Sequence, residues 1–264
     1  MEIIQSEEAF KLAGNKLEFD CVKGIVRHNE SVYFGKWKDR TRSPLDLSEL
    51  YDVKRVETDD RGPKVQLSWT VVLEQSCYIK TPSLLDYAGT PDLERRIFRE
   101  VETCEILRSH PHPNIASYYG CLETRGRVSS ICFKKYVTTL AGKVNPLHLN
   151  KSAFLLSGRP LVEDAMKAQL DGILSGIQHL HSLGLVHNEI TPANIMLEED
   201  GTWVIIDFDS CRHMGEVLRD TGTKRTYGWH DPDVTVSFEK NDLDAFFELR
   251  TWLFGSSADE FMFR

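Results

Sequence analysis

The sequence predicts an α+β protein in two parts, an antiparallel sheet region followed by a helical one. Three observations carry this reading. Short runs rich in Val, Ile, Tyr and Phe, set between turn residues, recur from Val22 to Phe133. Long amphipathic stretches occupy residues 92–110, 162–183 and 241–254. Between the last two, the polar clusters His187-Asn188-Glu189-Ile190-Thr191-Pro192-Ala193-Asn194 and Asp207-Phe208-Asp209 flank a predicted hairpin that turns at Glu199-Asp200-Gly201.

Taken in order, residues 1–50 give the weakest signals. Residues 22–37 alternate loosely, and Asn29-Glu30 is placed to turn a hairpin. Lys23, Arg27, Lys36, Lys38, Arg40 and Arg42 make residues 23–42 basic. That suits a solvated edge strand whose charges block aggregation, or a docking surface for an acidic partner or nucleic acid. Ser43-Pro44 breaks the chain, and residues 45–51 read as a short helix or connector. Strands are expected at residues 53–56, 65–69 and 77–80, the last ending on Lys80. The turn over residues 58–63 holds one glycine, Gly62, and two carboxylates, Asp59 and Asp60.

Leu93, Ile97, Val101 and Cys104 recur at helical spacing over residues 92–110, and Glu100 projects from that apolar stripe. A carboxylate there needs a partner, and Lys80 is the obvious one; Glu102 is the alternative in a shifted register. Residues 110–115 read as a plain turn. Strands are expected at 116–119 and 128–133, followed by Lys134-Lys135-Tyr136. Residues 140–159 read as a polar connector. Met166, Leu170, Ile173, Leu174, Ile177 and Leu180 form one stripe of the helix over 162–183, which Gly184 ends. The helix over 241–254 carries Asp242 among Leu243, Phe246, Phe247, Leu249, Trp252 and Leu253.

Composition limits the classes. With 264 residues the chain suffices for one large or two smaller compact parts, and a net charge of −8 gives no global attraction to nucleic acid or anionic membrane. The six cysteines are scattered without a C-x-x-C pair, which argues against zinc and for buried thiols in a reducing compartment. The first ten residues lack the basic start and apolar core of a signal peptide, and no run reaches the ~20 apolar residues of a membrane span. A cytoplasmic protein, possibly nuclear, without membrane contact is expected.

The stretch HNEITPANIM followed by VIIDFDS resembles the catalytic and metal-binding loops of protein kinases, H-R-D-L-K-x-x-N and D-F-G. The chain is similar also to small fungal kinase-like proteins with H-N-D and D-F-D variants. The resemblance implies a two-lobed fold: an N-terminal extension over 1–50, a small antiparallel-sheet N-lobe over 51–137, and a truncated helical C-lobe over 138–264. It implies ATP and Mg²⁺, with Asn194 and Asp207 as metal ligands. Glu189 and His187 fall in the catalytic loop, and Lys80 is the phosphate lysine paired with Glu100. Gly62 lies in the turn over the nucleotide and Lys135 in the linker beside the base. Asp242 supports the catalytic loop from below.

Four departures bear on chemistry. Glu189 stands for the catalytic Asp, and one extra methylene displaces its oxygens by roughly 1 Å, which can cost about 100-fold. Thr191 replaces a lysine and Asp209 a glycine. Asn188 replaces the arginine that clamps a phosphorylated activation segment, which argues against control by such a phosphate. The expected function is an ATP- and Mg²⁺-dependent phosphotransferase acting on hydroxyl groups. The alternatives are a pseudokinase scaffold, or a kinase fold adapted to another group transfer on a small molecule or aminoacyl-tRNA. A short C-lobe would expose apolar surface to a protein partner or a second copy.

Overall fold

The computed structural model describes all residues except 15, 57–61, 74–75, 88–92, 219–222, 224 and 264. The predicted turn is therefore described only at Gly62 and Pro63. The chain forms two compact units, one of residues 1–65, 81–97 and 124–129, the other of residues 66–80, 98–123 and 130–264.

In the first unit, β1 (Glu2–Ala13), β2 (Lys16–His28), β3 (Ser31–Trp37) and β4 (Tyr51–Val56) form one antiparallel sheet in that order. Asn29 and Glu30 turn β2 into β3 with φ of 47° and 63°, the left-handed pair that a two-residue hairpin needs. Val22, Val26, Trp37 and Leu50 make one buried cluster. Ile25, Val32, Phe34 and Val56 make another, against which Leu84 and Leu85 pack. The strand expected over 53–56 thus extends the sheet built by the first residues.

The basic stretch is not a free cationic face. Arg27 pairs with Glu2, Lys23 with Glu7, Lys36 with Asp52, Lys38 with Asp20 and Arg42 with Glu49. Arg40 grips Glu8 with two bonds of 2.6 and 2.8 Å and lies over the rings of Phe10 and Phe19. Strand β1 supplies three of these carboxylates, so the basic stretch is a paired surface.

Gly62 is buried in this unit, where a Cβ would lie 1.7 Å from the Val128 carbonyl oxygen. Its own carbonyl accepts Arg127 at 2.8 Å. Glycine is required here by close backbone packing.

The second unit begins with residues 66–73, where Val71 makes one isolated bridge to Cys121 in place of the strand expected over 65–69. Next come β5 (Tyr78–Lys80), α1 (Leu84–Tyr87), which belongs to the first unit, and α2 (Leu93–Ser109). Strands β6 (Tyr118–Thr124) and β7 (Arg127–Phe133) join β5 in a sheet of order β5-β7-β6.

The polar connector expected over 140–159 is instead largely helical. After β8 (Thr138–Thr139) come α3 (Leu140–Val144) and α4 (Lys151–Leu156). Each starts on a side-chain cap: Thr139 accepts the Gly142 N–H and Asn150 the Ala153 N–H. Leu140, Val144 and Phe154 are buried.

Helix α5 (Met166–Ser182) buries Met166, Leu170, Ile173, Ile177 and Leu180, and Gly184 at φ 73° closes it. Then come β9 (Leu185–Val186), the hairpin β10 (Ile195–Leu197) and β11 (Trp203–Ile205), and β12 (Arg212–His213) against β9. Helix α6 (Glu239–Phe254) buries Phe246, Leu249, Trp252 and Leu253, whereas Phe247 is half exposed. All six cysteines are free and buried. Among the described residues, no helix is long and apolar enough to cross a membrane.

Candidate active site

The hairpin of β10 and β11 sets two loops side by side. Ile206 N–H donates to the Asn194 carbonyl at 3.0 Å, so the residue before Asp207 is pinned to the residue that ends the first polar cluster. Asp207 itself has φ 67°, a left-handed conformation rare outside glycine and asparagine that turns its carboxylate back toward β5. There Lys80 Nζ lies 2.5 Å from Asp207 Oδ1 and 2.5 Å from Glu100 Oε1. Three chain-distant segments thus meet at one ammonium. Glu102, the alternative partner, instead accepts the Trp69 indole N–H.

Electrostatics keep this lysine charged. Burial pulls its pKa down, and the carboxylates of Glu100, Asp207 and Asp209 together outweigh burial and lift it well above the ordinary value. For Glu100 burial dominates and pushes the carboxyl up to about 7, with Lys80 opposing.

His187 is fully buried, with both ring nitrogens on backbone: Nε2 donates to the Ile206 carbonyl at 3.0 Å and Nδ1 accepts the Glu189 N–H at 3.2 Å. It ties the two loops together rather than facing a ligand. The carboxylate of Asp242, fully buried on α6, accepts the N–H groups of His187 at 2.8 Å and Asn188 at 2.7 Å. His181 adds a third bond to Asp242 at 2.9 Å. Asn188, at φ 63°, donates to the Val186 carbonyl and the Ser237 hydroxyl and accepts from Asn241. It is a packed hub in the arginine's place.

Glu189 is partly buried. Its Oε1 accepts the Thr226 hydroxyl at 2.8 Å and its Oε2 the Ser210 hydroxyl at 3.2 Å. Burial, with the negative charges of Asp209 and Asp207, raises its pKa, against the Thr226 bond that lowers it. Asn194 donates its amide to the Glu189 carbonyl at 3.0 Å, which leaves its Oδ1 as the remaining ligating atom.

Beside this cluster lies a cavity of about 590 Å³ lined by Ile79, Lys80, Phe133, Tyr136, Met196 and Asp207 among others. It is mostly apolar, with charge at one end, as a small-molecule site requires. Lys134 and Lys135 also border it. Lys134 pairs with Glu198 and Lys135 is exposed, while the Tyr136 hydroxyl accepts the Ser117 N–H at 2.9 Å.

Comparison with known proteins agrees with this architecture. Residues 84–246 match the protein kinase domain family, well over half of the chain, and the chain belongs to that family. It is similar to the mitogen-activated protein kinase hog1 of Aspergillus terreus, 30% identical over 156 residues, which is 59% of this chain and 38% of that protein. The mitogen-activated protein kinase HOG1 of Exserohilum turcicum is 30% identical over the same length, 42% of that protein. The matched stretch thus spans about two fifths of these relatives. Among solved structures, the yeast RNA Pol II CTD kinase CTDK-1 complex matches with a TM-score of 0.48 and 21% identity, over 62% of this chain and 51% of that one.

Proposed function

We propose that the chain binds ATP with Mg²⁺ in the cavity beside Lys80 and transfers the terminal phosphoryl group to a hydroxyl. The observation that carries this is the meeting of Lys80 with both Glu100 and Asp207 at 2.5 Å. A lysine held charged between two acids is positioned to trade one of them for phosphate oxygens. The donors suit the metal: one carboxylate from Asp207 and one amide oxygen from Asn194 are hard oxygen ligands, and Mg²⁺ takes few protein ligands because it keeps waters and substrate phosphates. Bound there, it would neutralise charge on the phosphates. Glu189 takes the proton of the acceptor hydroxyl as that oxygen bonds to phosphorus and ADP leaves. Its raised pKa places it nearer neutrality than an ordinary carboxylate, which suits a base. The six free buried thiols favour a reducing compartment.

A second reading, a nucleotide-binding scaffold without transfer, is favoured by the Thr226 and Ser210 bonds that occupy both oxygens of Glu189. Thermal shift with ATP, with and without Mg²⁺, tests the shared premise. Ligand at a hundredfold excess over Kd adds about 2.7 kcal/mol to stability. A Mg²⁺-dependent rise in wild type that Asp207→Ala and Asn194→Ala abolish supports both readings, and its absence at millimolar ATP removes both. Phosphate transfer that falls at least about 100-fold in Glu189→Gln selects the enzyme. ATP binding without transfer in wild type selects the scaffold.

A further inference from the structure

Away from the Lys80 cluster, a second cavity of about 740 Å³ opens where the far end of α6 meets the chain that leads into α5. Helix α6 turns one stripe toward it. Phe247, Arg250, Thr251 and Phe254 recur at the spacing that sets them on one helix face, and all four line the cavity. The solvent side of a helix is ordinarily polar, yet here two phenylalanines flank an arginine, and Phe247 is 50% exposed. Arg250 is exposed as well, and among the described residues it makes no ion pair or hydrogen bond. Val162, from the chain before α5, adds apolar lining.

Arg159 stands at the same cavity. It has φ 49° and follows Gly158 at φ 72°, a left-handed pair that only the glycine adopts freely. Its guanidinium reaches the end of α6. Nη1 donates to the Trp252 carbonyl at 3.0 Å and the Thr251 carbonyl at 3.4 Å, and Nη2 to the Gly255 carbonyl at 2.5 Å. These bonds cap carbonyls that would otherwise repel an anion. A guanidinium has five N–H donors, so the Nε–H and one Nη2–H are left over. Lys167 brings a third cation, paired with the exposed Asp164 at 2.7 Å and lying over the Phe254 ring at 5.2 Å. Glu260 is the other acid of the lining, and one of its oxygens accepts the Ser256 N–H at 3.0 Å. Three cations against two carboxylates leave a positive cavity in a chain of net charge −8.

We propose that this cavity binds a small organic carboxylate, its head on the unspent donors of Arg159 and on Arg250, and its apolar body against Phe247 and Phe254. The guanidinium fork takes a carboxylate with two bonds at once, and an aromatic ring beside it gives the body a dry face. A bare inorganic anion would leave both rings in water, and a neutral apolar molecule would leave the cations unmatched. The charge balance favours one anionic group, because a second would meet Asp164 or Glu260. The site does not depend on the nucleotide reading of the Lys80 cavity. It lies about 18 Å along α6 from Asp242, at the rise of a helix between residues 242 and 254. A ligand there braces the helix whose first turn supports His187 and Asn188.

Isothermal titration calorimetry of the full chain with phenylacetate, indoleacetate and octanoate tests this. Phenylacetamide and inorganic phosphate serve as the neutral and the bodiless comparisons. At least one carboxylate is expected to bind with a Kd of about 1 mM or tighter, in keeping with the efficiency of ligands this small. Arg159→Lys keeps the charge and loses the fork, and should weaken that carboxylate at least about tenfold. Arg250→Gln, which removes an exposed pairing, should weaken it about threefold. Lys80→Met should change nothing. No binding of any of the three carboxylates at several millimolar overturns the proposal. So does binding that Arg159→Lys and Arg250→Gln leave unchanged, or that Lys80→Met abolishes. Equal affinity for phenylacetamide or phosphate overturns it too, since charge or body would then count for nothing. Should Arg159→Lys fail to fold, the double variant Phe247→Ala with Arg250→Gln carries the test, with a loss of about tenfold expected.

Discussion

The carboxylate of Asp242 on α6 accepts the backbone N–H of Asn188, a residue at φ 63°, at 2.7 Å. A left-handed asparagine in a buried loop is held where it is by bonds to its backbone on one side and its amide on the other. The loop that carries Glu189 and Asn194 is therefore set from below by a helix far along the chain.

The first prediction follows from this support. Asp242→Ala leaves two buried N–H groups unsatisfied, each costing about 1–3 kcal/mol. Denaturant unfolding should show a loss in that range or above, with Asp242→Asn intermediate because an amide oxygen still accepts one bond. Asn188→Arg, which would restore the commoner kinase residue, should destabilise the chain rather than improve it, since residue 188 is buried and its polar atoms are matched to Val186, Ser237 and Asn241.

A second prediction concerns Lys151 at the start of α4. It pairs with Glu248, fully buried on α6, and with the Gly228 carbonyl, while Met262 N–H donates to the other oxygen of Glu248 at 2.8 Å. Removing one member of a buried pair leaves a bare charge and costs about 3–5 kcal/mol. Lys151→Met should lose that much by urea unfolding. The pair Lys151→Met with Glu248→Gln should recover a large part of it, because the stranded charge is gone.

Acid behaviour of the catalytic step supplies a third. Asp209 is one of the groups that raise the Glu189 pKa, after burial. A base must be deprotonated, so activity should fall on the acid side at a pH above the ordinary carboxylate range. Asp209→Asn removes a raising charge and should move that limb to lower pH in a kcat/KM profile. Thr226→Val removes a lowering bond and should move it to higher pH. A limb that ignores both substitutions would exclude Glu189 as the titrating base.

His112 gives the fourth. Burial, then the neighbouring His179 stacked at 5.0 Å, lowers its pKa. Its Nδ1 accepts the Asn114 N–H at 3.2 Å, and protonation there replaces an acceptor by a donor facing a donor. A histidine with a depressed folded pKa contributes stability that is present above the unfolded value of about 6.5 and lost as pH falls through the folded one. Melting temperature should decline below that pH, and the decline should be shallower in His112→Gln.

Much of the fold was legible because it rests on local pattern. The stripes of α2, α5 and α6 and the turn at Asn29-Glu30 are written within a few residues. Strand β1 was not, because register shifts between Ile3 and Gln5 and between Ala9 and Phe10 break the period of two on which strand reading depends. Helices α3 and α4 are too short to show a stripe, although Thr139 and Asn150 were readable as caps. In the site, the contact between Lys80 and Glu100 could be anticipated because an acid on an apolar stripe demands a partner. The contacts of His181 and Lys151 could not, since a pair formed between remote segments has no local signature in either one.

The paired charges on the first sheet make its face a mask that acid removes. At neutral pH each of the six basic side chains over 23–42 has a carboxylate beside it. Protonating those carboxylates neutralises the acids and uncovers the cations. Glu8 resists this, because its bond to Arg40 holds its pKa below the ordinary value. A chain with a formal charge of −8 thus carries a latent polycation, and under acid conditions it should adhere to sulfated surfaces that it ignores at neutrality.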